Sequence, residues 1–418
     1  MTRKSLLVFL FLLGLPVSLA AAAAPHTLTS FPPADLKPKA ANADVIFVVA
    51  GDNRPTAKGA PLPRVLDAIF SEIGLIRPDF VLWTGDTVYG YCDNRDELTA
   101  EYQAFAAAAK PIAGIPLFNA PGNHEIHSDQ YGCHQNDLCW SGPKASPPDC
   151  SEAVFKDHFG ALYGSFDYAG AHFIALDTSV PGAEDEITGT QLRWLRSDLR
   201  RSKTARATFI FTHTEFFSSP WIDPLSGQSH PSVSPLAELE DLFVHSSVHA
   251  VFSGHEHLFW HEPTGREHNY IDYFVAGGAG APLYATPDRG GFAHYLIVRL
   301  SGSKAVYDLI EPGHLYLDET TDRMPQEFCQ DAKCAWIVGS NDLSQPLALN
   351  GVEIDVPASF GDCSGLTVAA RSRSRDSWVE LKNVTLDCAA SVPGRVHVSV
   401  PPLGQGSVLL TVSRKSSP

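Results

Sequence analysis

The feature that most constrains the fold of this chain is a set of short apolar runs that each end in metal-ligand residue types. Continuous apolar runs are typical of strands buried on both faces of an α/β sheet. Because ligands gather beyond the carboxyl ends of such strands, the residues after the runs are expected to meet at one edge. The runs and the residues after them are Val45–Ala50 before Gly51-Asp52, Phe80–Trp83 before Gly85-Asp86, Ile115–Phe118 before Gly122-Asn123-His124-Glu125, Thr208–Phe211 before Thr212-His213, and His249–Phe252 before Gly254-His255-Glu256-His257.

The side chains in this set are carboxylates, an amide and imidazoles, with a phenol at Tyr89 shortly after Asp86. Oxygen and imidazole donors suit a pair of hard-to-borderline divalent or trivalent cations rather than a thiolate zinc site. Two neighbouring cations need a bridging carboxylate, and Asp86 is the predicted bridge. Each residue alone has an ordinary structural explanation, since an Asp after a Gly at a strand end is commonly a turn or a helix cap. The prediction therefore depends on the complete set.

In this order the motifs resemble those of the calcineurin-like metallophosphoesterases, over residues 44–300. Tyr89 is similar in position to the tyrosine of the purple acid phosphatase branch, whose phenolate binds a ferric ion. The resemblance implies an α/β fold, a four-layer α/β/β/α sandwich of two mixed sheets flanked by helices. It also implies Fe³⁺ with Fe²⁺, Zn²⁺ or Mn²⁺ as cofactors. By the same resemblance, Asp52, Asp86, Tyr89 and His257 would hold the first metal, and Asp86, Asn123, His213 and His255 the second.

The activity implied by the resemblance is the hydrolysis of small phosphomonoesters, as in acid phosphatases, by a hydroxide that two cations generate from bound water. Asn123 and His124 would contact the substrate, and His124 would stabilise the phosphoryl oxygens or protonate the leaving group. The same metal core serves phosphodiesterases in this superfamily, so that alternative stays open. A secreted binding or adhesion protein that uses the fold as a scaffold is a third hypothesis, although no ligand position is lost.

Two positions depart from the family pattern. Most of the superfamily has a histidine two residues after the first aspartate, whereas this chain has Arg54, which cannot deprotonate to bind a metal. Tyr89 would then compensate. Arg54 would instead bind a phosphate oxygen bidentately or form a surface ion pair, and the sequence does not choose between them. Plant-type purple acid phosphatases continue the last motif with Tyr-Glu-Arg, but this chain continues with Leu258–His261, so substrate contacts cannot be copied there.

The N-terminus has the three parts of a secretory signal peptide: basic Arg3-Lys4, an apolar core, and the small residues Ala20–Ala24. We therefore expect a secreted or periplasmic protein without stable membrane insertion. The formal net charge of −16 disfavours nucleic acid as a partner and favours small phosphoesters. The sequence does not reveal the oligomeric state.

Strand and helix alternate after Val45, with helices expected near residues 62–76, 97–110 and 191–200. A hairpin is expected at Ala169-Gly170, and strands at 270–276, 294–300 and 304–310 are expected to finish the second sheet. Residues 126–151 are predicted to form a disulfide-tied loop at the rim of the site. The resulting expected domains are a signal peptide at 1–24, an N-terminal tether or edge-hugging arm at 25–43, the catalytic domain at 44–329 and a β-rich module at 330–418.

The 8 cysteines lack the C-x-x-C pairs of a zinc site, so disulfides are the better explanation in an exported protein. Cys329 with Cys334, and Cys363 with Cys388, are the predicted pairs. The remaining cysteines allow three connectivities between which the sequence cannot choose. They are Cys92, Cys133, Cys139 and Cys150.

Overall fold

The structure, a computed structural model, describes residues 28–31, 33–91, 95–126, 150–220, 232–266, 269–313, 315–318, 334–341, 351–374, 377–404 and 406–415. The predicted signal peptide, most of the predicted rim loop, and Cys92, Cys133, Cys139 and Cys329 lie outside these residues, as do the side chains of Cys150 and Cys334. No helix in the described part of the chain is long and apolar enough to cross a membrane.

The region predicted to be the catalytic domain begins with strands β1 (Val45–Ala50), β2 (Phe80–Trp83), β3 (Leu117–Asn119), β4 (Gly164–Tyr168), β5 (Ala171–Ala175), β6 (Thr208–Phe211) and β7 (Val248–Ser253). It continues with β8 (Phe259–Arg266), β9 (Asn269–Ala276), β10 (Tyr295–Ser301) and β11 (Lys304–Ile310). Its helices are α1 (Arg64–Ile76), α2 (Arg95–Ala108), α3 (Cys150–Phe159), α4 (Gly189–Arg201) and α5 (Leu236–His245).

These elements form two mixed sheets packed face to face. The first has the strand order β11-β10-β1-β2-β3, and the second β4-β5-β6-β7-β9-β8. An aromatic core that includes Phe47, Phe80, Phe173 and Phe209 fills the space between them. Helices α1, α2 and α3 pack on the outer face of the first sheet, and α4 and α5 on that of the second. The four-layer α/β/β/α prediction is confirmed.

Strand β1 is an unbroken apolar run because both of its faces are buried. Phe47 and Val49 point into the core between the sheets, whereas Val48 and Ala50 point towards the helices. Both faces of β1 are therefore shielded from water. The chain becomes polar only at Asp52, after β1 has ended. The same arrangement in β2 delivers Asp86 to the same edge, since β1 and β2 are parallel neighbours.

One topological expectation is wrong. Strands β10 and β11 complete the first sheet rather than the second, because β10 runs antiparallel to β1 and pairs Leu300 with Val45. The second sheet ends instead with β8, which pairs antiparallel with β9. Strand β8 was not predicted, because Pro263 and Gly265 interrupt its apolar pattern. Helix α3 also begins at Cys150, inside the segment expected to be loop.

The described part of the N-terminal segment lies along the edge of the first sheet. The main-chain NH of Phe31 donates to the carbonyl of Leu117 at 2.9 Å. Its buried ring packs against Phe105 and Phe159, with centroid separations of 6.3 and 4.9 Å. Phe31 thus packs at this edge, and the assignment of residues 25–43 as a tether or an edge-hugging arm stays a prediction.

The C-terminal part adds strands β12 (Leu315–Asp318), β13 (Cys334–Asn341), β14 (Val352–Asp355), β15 (Leu366–Ser374), β16 (Ser377–Glu380), β17 (Thr385–Val392), β18 (Arg395–Ser399) and β19 (Gly406–Arg414). They form a sheet β12-β13-β19-β15-β16 and a sheet β14-β18-β17 around one apolar core. The Cys363–Cys388 disulfide is confirmed. Strands β16 and β17 belong to different sheets, and Asn383 turns the chain between them with φ 63°.

Candidate metal centre

The predicted ligands lie where the strands end, and several have unusual backbone conformations. Asp52, Asp86 and His255 have φ angles of 61°, 55° and 68°. Asp, Asn and His tolerate this left-handed region better than most residues, but it still costs free energy that the surroundings must offset. The loops after β1 and β2 brace each other, because Asp52 N donates to Gly85 O at 3.0 Å and Asn53 N to Asp86 O at 3.1 Å. These turns direct both carboxylates to one point.

Asp52, Asp86 and His257 form a compact buried group whose potential ligand atoms all lie within 4.8 Å of one another. Burial, and then the neighbouring Asp86, raise the pKa of Asp52 well above its usual value. Burial also raises the pKa of Asp86 to about 7, although the Arg54 guanidinium opposes this rise. Carboxylates placed this close destabilise each other's charge, and a bound cation would remove that cost.

A second group of donor atoms also lies close to Asp86. The imidazole Nε2 of His213 is 2.8 Å from Asn123 Oδ1 and 3.4 Å from Asp86 Oδ1. His255 Nδ1 is 3.2 Å from the same amide oxygen and 3.1 Å from His213 Nε2. Asp86 therefore lies between two clusters of donor atoms, as a bridging carboxylate must.

Two of the histidines have their outer nitrogens fixed by carbonyl groups. His213 Nδ1 is 2.8 Å from Thr84 O, and His257 Nδ1 is 2.6 Å from Pro282 O. A carbonyl can only accept, so each Nδ1 carries the proton and each Nε2 presents a lone pair to the site. Burial lowers the pKa of His213, which keeps it in the neutral form that binds metals.

The fit to a metal can be tested on Asp52. Its Oδ1 accepts the main-chain NH of His255 at 3.0 Å. Its Oδ2 is buried and has no hydrogen-bond partner within the described part of the chain. An unpaired buried carboxylate oxygen costs free energy unless a cation or proton satisfies it. The donor set is rich in oxygen and imidazole, so the residues present fit hard-to-borderline cations.

Glycine is required where the motifs meet. Gly85 has φ 91°, and a Cβ there would come within 2.8 Å of His213 Nδ1 and of Gly122 N. A side chain at this position would therefore push apart two of the loops that carry predicted ligands. The Gly-Asp pattern of the second motif reflects this close approach as much as the turn itself.

Arg54 is neither exposed nor in a surface ion pair. Its Nε lies 3.7 Å from Asp86 Oδ2, and its Nη2 is 3.5 Å from the hydroxyl of Tyr284. Burial alone would lower the pKa of Arg54, but Asp86, Tyr284 and Tyr91 raise it. A permanent positive charge thus lies beside the predicted bridging carboxylate, and the surface alternative is wrong.

His124 lies against the same carboxylate. Its main-chain NH donates to Asp86 Oδ1 at 3.1 Å, and its Nε2 is 4.0 Å from Asp86 Oδ2. Its Nδ1 donates to the carbonyl of Tyr89. Burial, and then Arg54, hold the pKa of His124 well below its usual value. The neutral imidazole therefore presents Nε2 as an acceptor.

Tyr89 is the least integrated of the predicted ligands. Its main-chain NH donates to Glu101 Oε2 at 2.7 Å, and its ring centroid is 5.7 Å from that of His124. In the described part of the chain, no hydrogen bond joins its hydroxyl to another predicted ligand. The assignment of Tyr89 to a metal stays a prediction.

The structure brings to the site further residues for which the sequence predicts no role. Glu125 Oε2 accepts from Asp86 N at 2.9 Å and from Gly122 N at 2.8 Å, and Oε1 accepts from Thr87 N at 2.6 Å. Its place at the end of the third motif is the only signal in the sequence for such a role. Tyr284 stacks on His257 with a centroid separation of 4.1 Å, and no motif marks its position.

The sequence profile of the calcineurin-like phosphoesterase family matches residues 41–259, which is more than half of the chain. The chain belongs to this family. The matched segment runs from just before β1 to just after the His255-Glu256-His257 motif, so it contains every predicted ligand. The family resemblance drawn from the motif order is confirmed.

Curated relatives include purple acid phosphatases. Purple acid phosphatase 18 of Arabidopsis thaliana is 26% identical over 240 residues, which cover 56% of this chain and 48% of that protein. Serine/threonine-protein phosphatase CPPED1 of Homo sapiens is 24% identical over 218 residues, covering 50% of this chain and 62% of that protein. This chain thus spans about half the length of the purple acid phosphatase that it matches.

A solved structure shows the same fold. Purple acid phosphatase PPD1, isolated from yellow lupin (Lupinus luteus) seeds, aligns with a TM-score of 0.51 at 17% sequence identity. The alignment covers 66% of this chain and 52% of that chain. At this level of sequence identity, the alignment shows a shared fold and nothing about function.

Proposed function

We propose that this chain is a binuclear-metal phosphoesterase that hydrolyses small phosphomonoesters. The observation that supports this most directly is the position of Asp86 between the Asp52–His257 group and the Asn123–His213–His255 group. Such a site suits two cations that share one carboxylate. The phosphatase names of the curated relatives point the same way.

In this proposal Asp52, Asp86, Tyr89 and His257 hold one cation, and Asp86, Asn123, His213 and His255 the other. Fe³⁺ with Fe²⁺, Zn²⁺ or Mn²⁺ is the proposed pair. When bound, the cations would supply Lewis acidity and neutralise the charge that grows on the phosphoryl group. Glu125 orients the bridging residue, because it accepts the main-chain NH groups of Asp86 and Thr87.

Arg54 and His124 are the proposed substrate contacts. The guanidinium of Arg54 lies beside Asp86 with its charge fixed at any working pH. It is placed to attract an anionic ester and to bind a phosphate oxygen. His124 is neutral in this environment and has its Nδ1 proton held by Tyr89 O. To protonate a leaving alkoxide, His124 must therefore first take up a proton at Nε2.

The cellular location belongs to the same proposal. A disulfide joins Cys363 to Cys388 in the C-terminal part, and disulfides persist mainly in oxidising compartments. Together with the signal-like N-terminus, this supports a secreted or periplasmic protein.

Metal analysis of the purified full chain, followed by assays on a panel of phosphomonoesters and phosphodiesters, tests the proposal. We expect two metals per chain and a higher kcat/KM on monoesters. His124→Ala should keep both metals and lose about 100- to 10,000-fold in kcat, whereas His245→Ala, at an exposed position, should match the wild type. Preference for diesters would favour the phosphodiesterase alternative, and a chain without bound metal or hydrolysis would contradict the proposal.

A further inference from the structure

Tyr91 lies between two residues of the third motif. Its hydroxyl accepts a hydrogen bond from Asn123 Nδ2. Its ring stacks on that of His124, with centroids 3.7 Å apart and an interplanar angle of 25°. Tyr91 therefore contacts both a proposed metal ligand and a proposed substrate contact, although neither composition nor motif marks it.

The contact with Asn123 decides which way its amide faces. An amide can bind a cation only through its oxygen, so the NH₂ end must be turned away and needs an acceptor. Asn123 Oδ1 faces His213 Nε2 at 2.8 Å and His255 Nδ1 at 3.2 Å. The acceptor for the opposite end is the hydroxyl of Tyr91. Such outer partners hold a ligand in its binding orientation.

Tyr89 and Tyr91 contact the site through different groups, one through its main chain and the other through its side chain. Tyr89 contributes its main chain, because its NH donates to Glu101 and its carbonyl accepts from His124. Tyr91 contributes its side chain, because its hydroxyl and ring make the contacts. The hydroxyl of Tyr91 thus contacts a proposed ligand directly.

We propose that Tyr91 is a positioning residue for the metal centre. Its hydroxyl fixes Asn123 with the amide oxygen towards His213 and His255, and its ring fixes the imidazole of His124. This inference rests on the proposed function and deepens it. The side chain makes two separate contributions: the hydroxyl supports metal binding, and the ring holds His124 in position.

The two contributions can be tested with Tyr91→Phe, which keeps the ring, and Tyr91→Leu, which removes both. The full chain is stripped of metal and titrated with Zn²⁺ by calorimetry, and kcat is measured at saturating Zn²⁺. The melting temperature of the metal-free protein reports any general loss of structure. Tyr270→Phe is the matched control, because Tyr270 is 69% exposed.

We expect Tyr91→Phe to weaken one of the two Zn²⁺ equivalents by about 10- to 100-fold, the usual effect of losing such a partner. The other equivalent and the melting temperature should not change, and saturating Zn²⁺ should restore kcat. Tyr91→Leu should show the same loss of affinity, with kcat about 10- to 100-fold low even at saturation because His124 is misplaced. Tyr270→Phe should match the wild type.

Wild-type affinity for both equivalents in Tyr91→Phe would overturn the inference and leave the proposed function intact. A wild-type chain that binds no pair of Zn²⁺ ions would instead overturn both.

A measurement on Tyr89→Phe protein does not depend on whether the Tyr91 variants fold. There, Zn²⁺ should produce no tyrosinate absorption, because the Tyr91 hydroxyl contacts Asn123 and would not bind a cation itself. A tyrosinate signal would make Tyr91 a direct ligand and contradict its positioning role.

Discussion

The main-chain NH of His255 donates a hydrogen bond to Asp52 Oδ1 at 3.0 Å, which joins the first and last motifs of the site. The other oxygen of Asp52 is buried against Gly254 and Gly277. One oxygen is thus used to hold the loop after β7, and the other remains for a cation. The proposed metal centre depends on this division.

Gly254→Ala should disturb this arrangement of the two carboxylate oxygens of Asp52. An added methyl would overlap Asp52 Oδ2 and approach Thr84 Oγ1 to 2.8 Å. We expect the variant to bind less than one metal per chain and to lose more than about 100-fold in turnover, since small misplacements are costly in such sites. Metal content and kcat check this. Gly404→Ala, where a methyl meets nothing within 4 Å, should retain both.

Glu125→Gln should destabilise the fold as well as the site. The carboxylate accepts from Asp86 N, Thr87 N and Gly122 N, and an amide would place a donor against one of these NH groups. Hydrogen bonds to a buried charge are worth about 1.5–3 kcal/mol each, so we expect a loss of about 3 kcal/mol in the free energy of unfolding. Urea denaturation measures it. No change relative to the exposed control Glu186→Gln would contradict the role of Glu125.

His294 should make stability depend on pH in the acidic range. Burial lowers its pKa to about 4, whereas an unfolded histidine titrates near about 6.5. Between these values the unfolded state binds more protons, so stability falls as the pH falls. Between about pH 7 and about pH 4.5, the free energy of unfolding of the metal-free wild type should fall by about 2–3 kcal/mol more than that of His294→Gln. Equal pH dependence of the two proteins would exclude this effect.

Tyr89 and Tyr91 should differ in the colour of the iron-loaded protein. A phenolate bound to Fe³⁺ absorbs visible light by charge transfer, and Tyr89 is the proposed ligand. Tyr89→Phe should therefore lose the visible band, whereas Tyr91→Phe should keep it. Visible absorption spectra at equal iron content measure this. A band that persists in Tyr89→Phe would remove Tyr89 from the ligand set.

The parts that the sequence predicts are those set by local patterns. Strands β1 and β2 are recognisable because burial on both faces makes them continuously apolar. The candidate ligands are recognisable because they follow strand ends in a fixed order. The pairing of Leu300 with Val45 could not be predicted, because it joins distant segments by main-chain hydrogen bonds at the edge of β1, and any apolar strand could pair there. Tyr284 reaches His257 through the course of a loop, which leaves no periodic signal.

The position of Asp86 between two groups of donor atoms is the central claim, and the metal content of Asp86→Asn tests it most directly. The substitution keeps the shape of the side chain but removes the charge that both cations would share. We expect the variant to lose bimetal occupancy and hydrolysis together, while Asp288→Asn, at an exposed position, retains both. An Asp86→Asn protein that holds two metals and turns over substrate at near the wild-type rate would contradict the account.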